Sequence, residues 1–165
     1  MSSDQEVRSI TRPRQATQAE SSLDSLINNA RQAFYKRDWD EADRRWAKVR
    51  EQFPDALIGY AAAVTTQREA GRLDAAEAMA ERMLERFPSE PGAYNEQAWL
   101  AAARGRHSEA IARWAAIRER FPKEWVPYLG GARALRATGQ LAEAETLLRA
   151  GIDKFPSELV LLTEF

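Results

Sequence analysis

Cysteine is absent from the 165 residues of this sequence, which excludes disulfide bonds, thiolate metal sites and cysteine nucleophiles. Histidine occurs once, at His107, where no metal-binding cluster surrounds it, and we interpret it as a turn residue. Neither sign of charge is in excess, because 24 lysines and arginines stand against 25 aspartates and glutamates, for a net charge of −1. This balance argues against a general binder of nucleic acid or of acidic membranes.

Long hydrophobic runs are also missing. The longest charge-free apolar run, residues 56–67, is too short to span a bilayer. Residues 1–22 contain no apolar stretch of the kind a secretory signal needs, so we expect a cytoplasmic protein. Their serine, glutamine, threonine and arginine content predicts a disordered arm that ends at Ser22. The preference for arginine over lysine and the abundant alanine are typical of a GC-rich bacterial genome.

Motifs of catalysis are not found. No Gly-x-Ser-x-Gly elbow occurs, and the two glycines that follow Leu129 are not part of a phosphate-binding loop. Most carboxylates alternate with arginines on helical faces, which is the pattern of a solvated surface. We therefore predict a protein that is not an enzyme and that needs neither a cofactor nor a metal.

What the sequence does contain is a regular internal repeat. Phenylalanine directly precedes proline four times, at Phe53, Phe87, Phe121 and Phe155, and consecutive copies are 34 positions apart. Proline disfavours helical conformation at the residue before it, so each copy should end a helix. Alignment on the prolines gives four units, residues 23–56, 57–90, 91–124 and 125–158, followed by the start of an incomplete fifth helix at 159–165.

Each unit contains two amphipathic helical stretches and no strand pattern, which predicts an all-α fold. The break between the two stretches carries a residue suited to the left-handed conformation that closes a helix, namely Gly71, Gly105 and Gly139, with Arg37 in the first unit. Candidate N-caps are Asp40, Asp74 (with Glu77 as a capping box) and Ser108 for second helices, and Asp55, Ser89 and Ser157 for the next first helices, where Pro91 suits a first turn.

Small and large residues recur at fixed places in the units. A small residue is expected where the two helices approach closely, at Ala30, Ala98 and Ala132 with Val64 as the exception, and again at Ala42, Ala76, Ala110 and Ala144. Large residues fill matching positions at Trp46, Trp114 and Leu148, and at Leu26, Tyr60, Tyr94 and Tyr128. We expect each phenylalanine of the Phe-Pro pairs to pack in the corner between successive units.

This pattern resembles the tetratricopeptide repeat (TPR) over residues 23–158. The local departures are the missing glycine of the first unit, Ala80 at a usually bulky position and Gly151 inside a second helix. The resemblance implies a right-handed superhelical solenoid of helix-turn-helix units that binds extended or helical peptides on its concave face. The groove positions of the family fall on Asp24, Ile27, Arg31, Phe34, Tyr35, Ile58, Ala61, Thr65, Arg68, Asn95, Trp99, Ala102, Val126, Leu129, Arg133 and Arg136.

Four arginines stand out among these groove positions, together with Trp99 and Asn95. Arginine binds carboxylates through two hydrogen bonds and tryptophan offers a large anchor surface, so an acidic segment or a chain-terminal carboxylate is one predicted ligand. The lysines and asparagines of the family's carboxylate clamp are not reproduced here. The alternative is that these arginines are solvated or paired with neighbouring glutamates.

The last residues, 157–165, are apolar where a terminal repeat is expected to be polar. We expect either continuation into more protein or self-association as a homodimer through Leu159, Val160, Leu162 and Phe165. Three roles are therefore open: a scaffold that binds a protein or peptide partner, an accessory domain of a larger bacterial enzyme such as a glycan-modifying or transferase enzyme, and a self-assembling module.

Overall fold

The structure, a computed structural model, describes residues 18–164 of the chain. This part forms helices and no strand, and none of its helices is long and apolar enough to cross a membrane. The helices are α1 (Gln18–Tyr35), α2 (Trp39–Gln52), α3 (Leu57–Glu69), α4 (Leu73–Arg86), α5 (Pro91–Ala103), α6 (His107–Arg120), α7 (Val126–Ala137), α8 (Leu141–Lys154) and α9 (Leu159–Thr163).

Each helix packs against the next one along the chain, and α3 also contacts α5, as α5 contacts α7. The first helices of successive units therefore form one layer, and the second helices form the other layer. The predicted all-α, right-handed superhelical solenoid is confirmed. Each of the four units supplies one helix pair, and α9 lies where the first helix of a fifth unit would begin.

The ends of the first helices have the backbone conformation that the sequence predicts. Gly71, Gly105 and Gly139 have positive φ angles of 74°, 73° and 79°. Arg37 occupies the same place in the first unit with a φ of 58°. No atom lies within 4 Å of a Cβ built on any of the three glycines, so the backbone angle rather than lack of space favours glycine there.

The predicted N-caps of the second helices are wrong by two residues. These helices begin at Trp39, Leu73, His107 and Leu141, so Asp40, Asp74 and Ser108 lie within the first turn and His107 opens α6 instead of lying in a turn. Only Asp38 caps its helix, accepting a hydrogen bond from the backbone nitrogen of Glu41 at 3.1 Å. The carboxylates of Asp40 and Asp74 instead bind Arg72 and Arg104 of the following unit, at 2.6 and 2.5 Å.

The predicted caps of the first helices are also corrected. The residues at the N-cap positions of α3, α5 and α9 are Ala56, Glu90 and Glu158, and none makes a side-chain cap hydrogen bond. Asp55, Ser89 and Ser157 lie one residue earlier, and Asp55 accepts a hydrogen bond from Arg86 at 2.6 Å. Pro91 occupies the first turn of α5 as expected.

At the N-terminus, helix α1 already includes residues 18–22, which the sequence assigned to the disordered arm. The arm boundary at Ser22 is therefore corrected to a position before Gln18. The remainder of the predicted arm, residues 1–17, lies outside the described residues.

The alanines predicted at helix contacts are fully buried or nearly so, and they include Ala30, Ala42, Ala76, Ala98, Ala110, Ala132 and Ala144. Gly151, the glycine inside α8, has a packing reason, since a Cβ there would lie 2.9 Å from the Cβ of Tyr128. In the second unit Ala80 is buried beside Met83, which supplies the missing bulk. These departures from the repeat pattern are therefore compensated locally.

The four Phe-Pro phenylalanines are the C-cap residues of the second helices, and three of them pack on tyrosines. The ring of Phe87 lies 5.3 Å from that of Tyr60, and the pairs Phe121–Tyr94 and Phe155–Tyr128 repeat the contact at 5.3 and 5.6 Å. Each tyrosine belongs to the same unit as its phenylalanine. The cluster around Phe87 also contains Ala93 of the next unit, so the predicted corner exists, but the main ring contact lies within the unit.

Two junctions between units each contain a buried tryptophan, and we call these two junctions the tryptophan joints. Arg50 donates to the carbonyl of Gly59 at 2.9 Å between the first and second units, and Arg118 donates to that of Pro127 at 3.1 Å between the third and fourth. Trp46 and Trp114 are almost completely buried at these joints. A Cβ on Gly130 would lie 2.4 Å from the indole of Trp114, so α7 has no room for a side chain at this position.

Candidate peptide-binding groove

A cavity of about 310 Å³ opens between α1 and α3. Its walls come from the first helices of the first three units, together with Trp46 of α2. The lining residues are Arg31, Phe34, Tyr35, Trp46, Ile58, Ala61, Ala62, Thr65 and Glu96. The structure therefore brings together six of the predicted groove residues, namely Arg31, Phe34, Tyr35, Ile58, Ala61 and Thr65.

The aromatic wall of this cavity is held in place by edge-to-face ring contacts. The ring of Phe34 lies 5.3 Å from the ring of Trp39 and 6.0 Å from the ring of Tyr35. Tyr35 is 78% exposed, which is unusual for a large aromatic side chain. Together with Ile58 it offers apolar surface that water covers in the free protein.

Glu96 also lines the cavity, although it is not among the residues predicted from the sequence. Its carboxylate extends from α5 to Arg68 of α3, with 3.3 Å between Oε2 and Nη1, and it also accepts a hydrogen bond from Thr65. Burial raises the pKa of Glu96 to about 7, while the charge of Arg68 and the hydrogen bond of Thr65 oppose the rise. The signal was available, because Glu96 is the one charged residue in the sequence of α5.

Arg133 and Arg136, the two predicted groove arginines of the fourth unit, also contact a glutamate. Glu164, which directly follows α9, accepts a hydrogen bond from Arg133 and forms an ion pair with Arg136. The hydrogen bond from Arg133 holds the pKa of Glu164 below its ordinary value. We call the two carboxylate contacts, Arg68–Glu96 and Arg136–Glu164, the glutamate joints.

Asn95 and Trp99, the other predicted contacts, are less available than the sequence suggested. Asn95 is 8% exposed, and its Oδ1 has no hydrogen-bond partner among the described residues. The Trp99 ring packs 4.9 Å from the ring of Trp114, and the guanidinium of Arg133 lies 5.9 Å from its centre. These contacts hold Trp99 in the layer of first helices, where it is partly buried.

Arg31 differs from the other three predicted groove arginines. Its side chain is exposed, and among the described side chains of residues 22–164 it has no carboxylate partner. Arg68, Arg133 and Arg136 each bind a carboxylate from the unit that follows. The pairing with neighbouring glutamates that was kept open from the sequence therefore holds for three of the four arginines.

Models of known protein families recognise most of this solenoid. Two models described as tetratricopeptide repeat match residues 30–56 and 61–124, together more than half of the chain. The chain belongs to the tetratricopeptide repeat family. No curated protein sequence matches this TPR chain.

Solved structures of TPR proteins show the same fold. The protein TTC0263 of Thermus thermophilus superposes with a TM-score of 0.67 at 15% identity, covering 79% of this chain and 73% of that chain. YrrB, described as a TPR protein with an unusual peptide-binding site, gives a TM-score of 0.61 at 17% identity over 87% of this chain and 74% of its own.

A third neighbour is an enzyme with a much longer chain. The O-GlcNAc transferase of Thermobaculum terrenum gives a TM-score of 0.63 at 18% identity, covering 85% of this TPR chain but only 27% of the transferase. At these identities the three superpositions establish a shared fold and carry no site residue over to this chain.

Proposed function

We propose that this TPR chain is a non-catalytic scaffold that binds a segment of a protein partner in its concave groove. TPR solenoids in general are protein–protein interaction modules, and the part that is specific to this chain is the cavity between α1 and α3. The observation that carries the proposal is the open apolar wall of that cavity, with Tyr35 78% exposed at its edge.

The cavity has the dimensions and lining of a site for one or two side chains of a peptide. Phe34, Ile58 and Ala61 supply carbon surface, and Thr65 adds one polar group. Burial of a large apolar side chain there would release water from both surfaces, which is the main source of affinity in such grooves. The ring contacts of Phe34 with Trp39 keep the wall rigid, so little conformational entropy is lost when a ligand binds.

A direct test is selection of ligands from a library of random displayed peptides. We expect the wild-type chain to enrich a family of peptides that contain a large apolar residue. The variant Ala61→Arg should lose this binding, because its side chain would fill the cavity. The matched control Ala78→Arg places the same side chain on an exposed position of α4 and should bind as the wild type does.

The proposal is wrong if no peptide is enriched, or if the Ala61→Arg variant retains the selected peptides while its circular dichroism and melting temperature match those of the control. The same selection bears on the role as an accessory domain of a larger enzyme, because that role would also require a segment bound in the groove.

Self-association is a second proposed property, favoured by the exposure of α9. Leu159 is 70% exposed and Leu162 is 51% exposed, whereas Leu161 is buried and Val160 is partly buried. Phe165, the fourth residue predicted for this contact, lies outside the described residues. Sedimentation across a concentration series should show a dimer that the double variant Leu159→Glu, Leu162→Glu abolishes, and a folded monomer at every concentration would refute it.

A further inference from the structure

We propose that the segment bound in this groove presents a carboxylate to Arg31, close to the large apolar side chain that enters the cavity. This inference rests on the proposed function and adds the chemical class of the partner, an acidic and apolar protein segment. The support comes from how this chain binds its own carboxylates.

The intramolecular template is the contact of Arg133 with Glu164. These two residues are 31 positions apart, and Glu164 directly follows α9, the helix with which a fifth unit would begin. Thr65 and Glu96 have the same separation and the same placement between α3 and α5. The repeat therefore holds a glutamate in this register twice, each time against the layer of first helices.

The same register in the first unit pairs Arg31 with Ala62, which are also 31 positions apart. Both residues line the cavity between α1 and α3. The cation of the template is therefore present, but its carboxylate is replaced by a methyl group. A carboxylate supplied by a ligand above Ala62 would meet Arg31 as Glu164 meets Arg133.

The charge around this position favours an anion. Glu96, the acidic residue of the cavity, is already paired with Arg68, so that pair contributes little net charge. Arg31 is therefore the lining cation whose charge no lining carboxylate offsets. Partial exclusion of water by the apolar wall strengthens an ion pair formed there relative to one in bulk water.

An apolar residue next to the carboxylate follows from the neighbour of Arg31. The position occupied by Arg68 and Arg136 at the glutamate joints is occupied by Phe34 in the first unit. A ligand at this place meets one guanidinium and one aromatic ring instead of two polar groups. Phe34 and Tyr35 therefore select a hydrophobic residue beside the acidic one.

The experiment selects peptides from two displayed libraries, one with internal random segments and one with free C-termini. Each library is screened for binding to the wild-type chain and to the variants Arg31→Glu and Ala61→Arg. The control variant is Arg82→Glu, which changes an exposed arginine on α4. Synthetic copies of the enriched peptides are then measured by fluorescence polarisation at two salt concentrations. The two libraries distinguish a side-chain carboxylate from a chain-terminal one.

We expect wild-type selections to enrich Asp, Glu or a terminal carboxylate next to, or nearly next to, a large apolar residue. Arg31→Glu should weaken these peptides by about tenfold or more and should enrich lysine or arginine instead, whereas Arg82→Glu should change affinity by less than about twofold. Added salt should weaken binding of the acidic peptides to the wild type.

Enriched peptides that lose affinity for Ala61→Arg but carry no acidic residue or terminal carboxylate would overturn this inference. Acidic peptides that bind Arg31→Glu with the same affinity as the wild type would do so too. Either result would leave the groove proposal standing. Peptides that bind the Ala61→Arg variant as well as the wild type would overturn both.

Discussion

The two glutamate joints occupy equivalent places in the solenoid, two repeats apart, yet their carboxylates have opposite shifts in acidity. Glu96 lies deep between α3 and α5, where loss of hydration outweighs the attraction of Arg68 and raises its pKa to about 7. Glu164 lies beside α9, where two arginines reach it and the pKa falls. Position in the repeat determines which groups meet, and the layer of helices around them determines what the contact contributes to stability.

The largest expected difference between the two glutamate joints is in the unfolding free energy lost when the arginine of each joint is removed. Arg68→Met should leave Glu96 buried without a positive partner and should cost about 3 kcal/mol of unfolding free energy at pH 8. The matched variant Arg136→Met should cost less than about 1 kcal/mol, because Arg133 still binds Glu164 and the pair is more exposed. Urea unfolding at pH 8 measures both losses, and equal losses would mean that burial does not distinguish the joints.

The next effect is the pH dependence that belongs to Glu96. Its pKa in the folded chain, about 7, lies above its ordinary value of 4.5, so the folded state binds the proton more tightly. The associated stabilisation is complete below pH 4.5 and is lost as pH rises through 7. Relative to Glu96→Gln, the wild-type unfolding free energy should fall by about 2 kcal/mol between pH 5 and pH 8.

Glu164 should show a smaller dependence of the opposite sign. Its pKa is lowered in the folded chain, so its stabilisation is present above the ordinary value of 4.5 and is lost as pH falls through the folded-state pKa. Compared with Glu164→Gln, the wild type should lose less than about 1 kcal/mol on acidification, because Arg133 and Arg136 are substantially exposed. Parallel pH titrations of the two glutamine variants would refute the comparison if both slopes had the same sign.

The smallest expected electrostatic contribution comes from adding a third carboxylate at a unit junction. Ala62→Glu places a carboxylate opposite Arg31, and this exposed pair should contribute about 0.5 kcal/mol or less, while crowding of the longer side chain against Trp46 adds a separate packing cost. The variant should nevertheless compete with acidic peptides and reduce their affinity about tenfold. Ala78→Glu, at an exposed position of α4, is the control, and unchanged peptide binding by Ala62→Glu would place the ligand elsewhere.

Much of the fold could be predicted from the sequence because it depends on local and periodic features. The Phe-Pro pairs, the alanines at helix contacts and the left-handed position at Gly71 each act within a few residues or repeat at a fixed interval. The pattern therefore predicted the pairs of helices and the layer of first helices that lines the candidate groove.

The features that were missed depend on side chains from different units. Asp40 and Asp74 look like N-caps in isolation, but arginines about one repeat later take their carboxylates. Glu96 becomes a groove residue only because Arg68 and Thr65 of the preceding unit face it. A single repeat read alone contains neither partner, so reasoning from propensity and spacing could not find these contacts.

The tryptophan joints have a consequence for how such a chain can be shortened. Deletion of the second unit would join the first unit directly to the third, and Trp46 would then face Glu96 instead of Ala62, with Phe34 in the place of Arg68. At that junction Arg31 would meet Glu96, but the large indole of Trp46 would stand where the intact chain has the small Ala80 before Glu96, which overpacks the contact. Deletion of the second and third units together would set Trp46 against Gly130 and Arg50 against the carbonyl of Pro127, the contacts that Trp114 and Arg118 make in the intact chain. We therefore expect the interchangeable block of this solenoid to be a pair of repeats and not a single one.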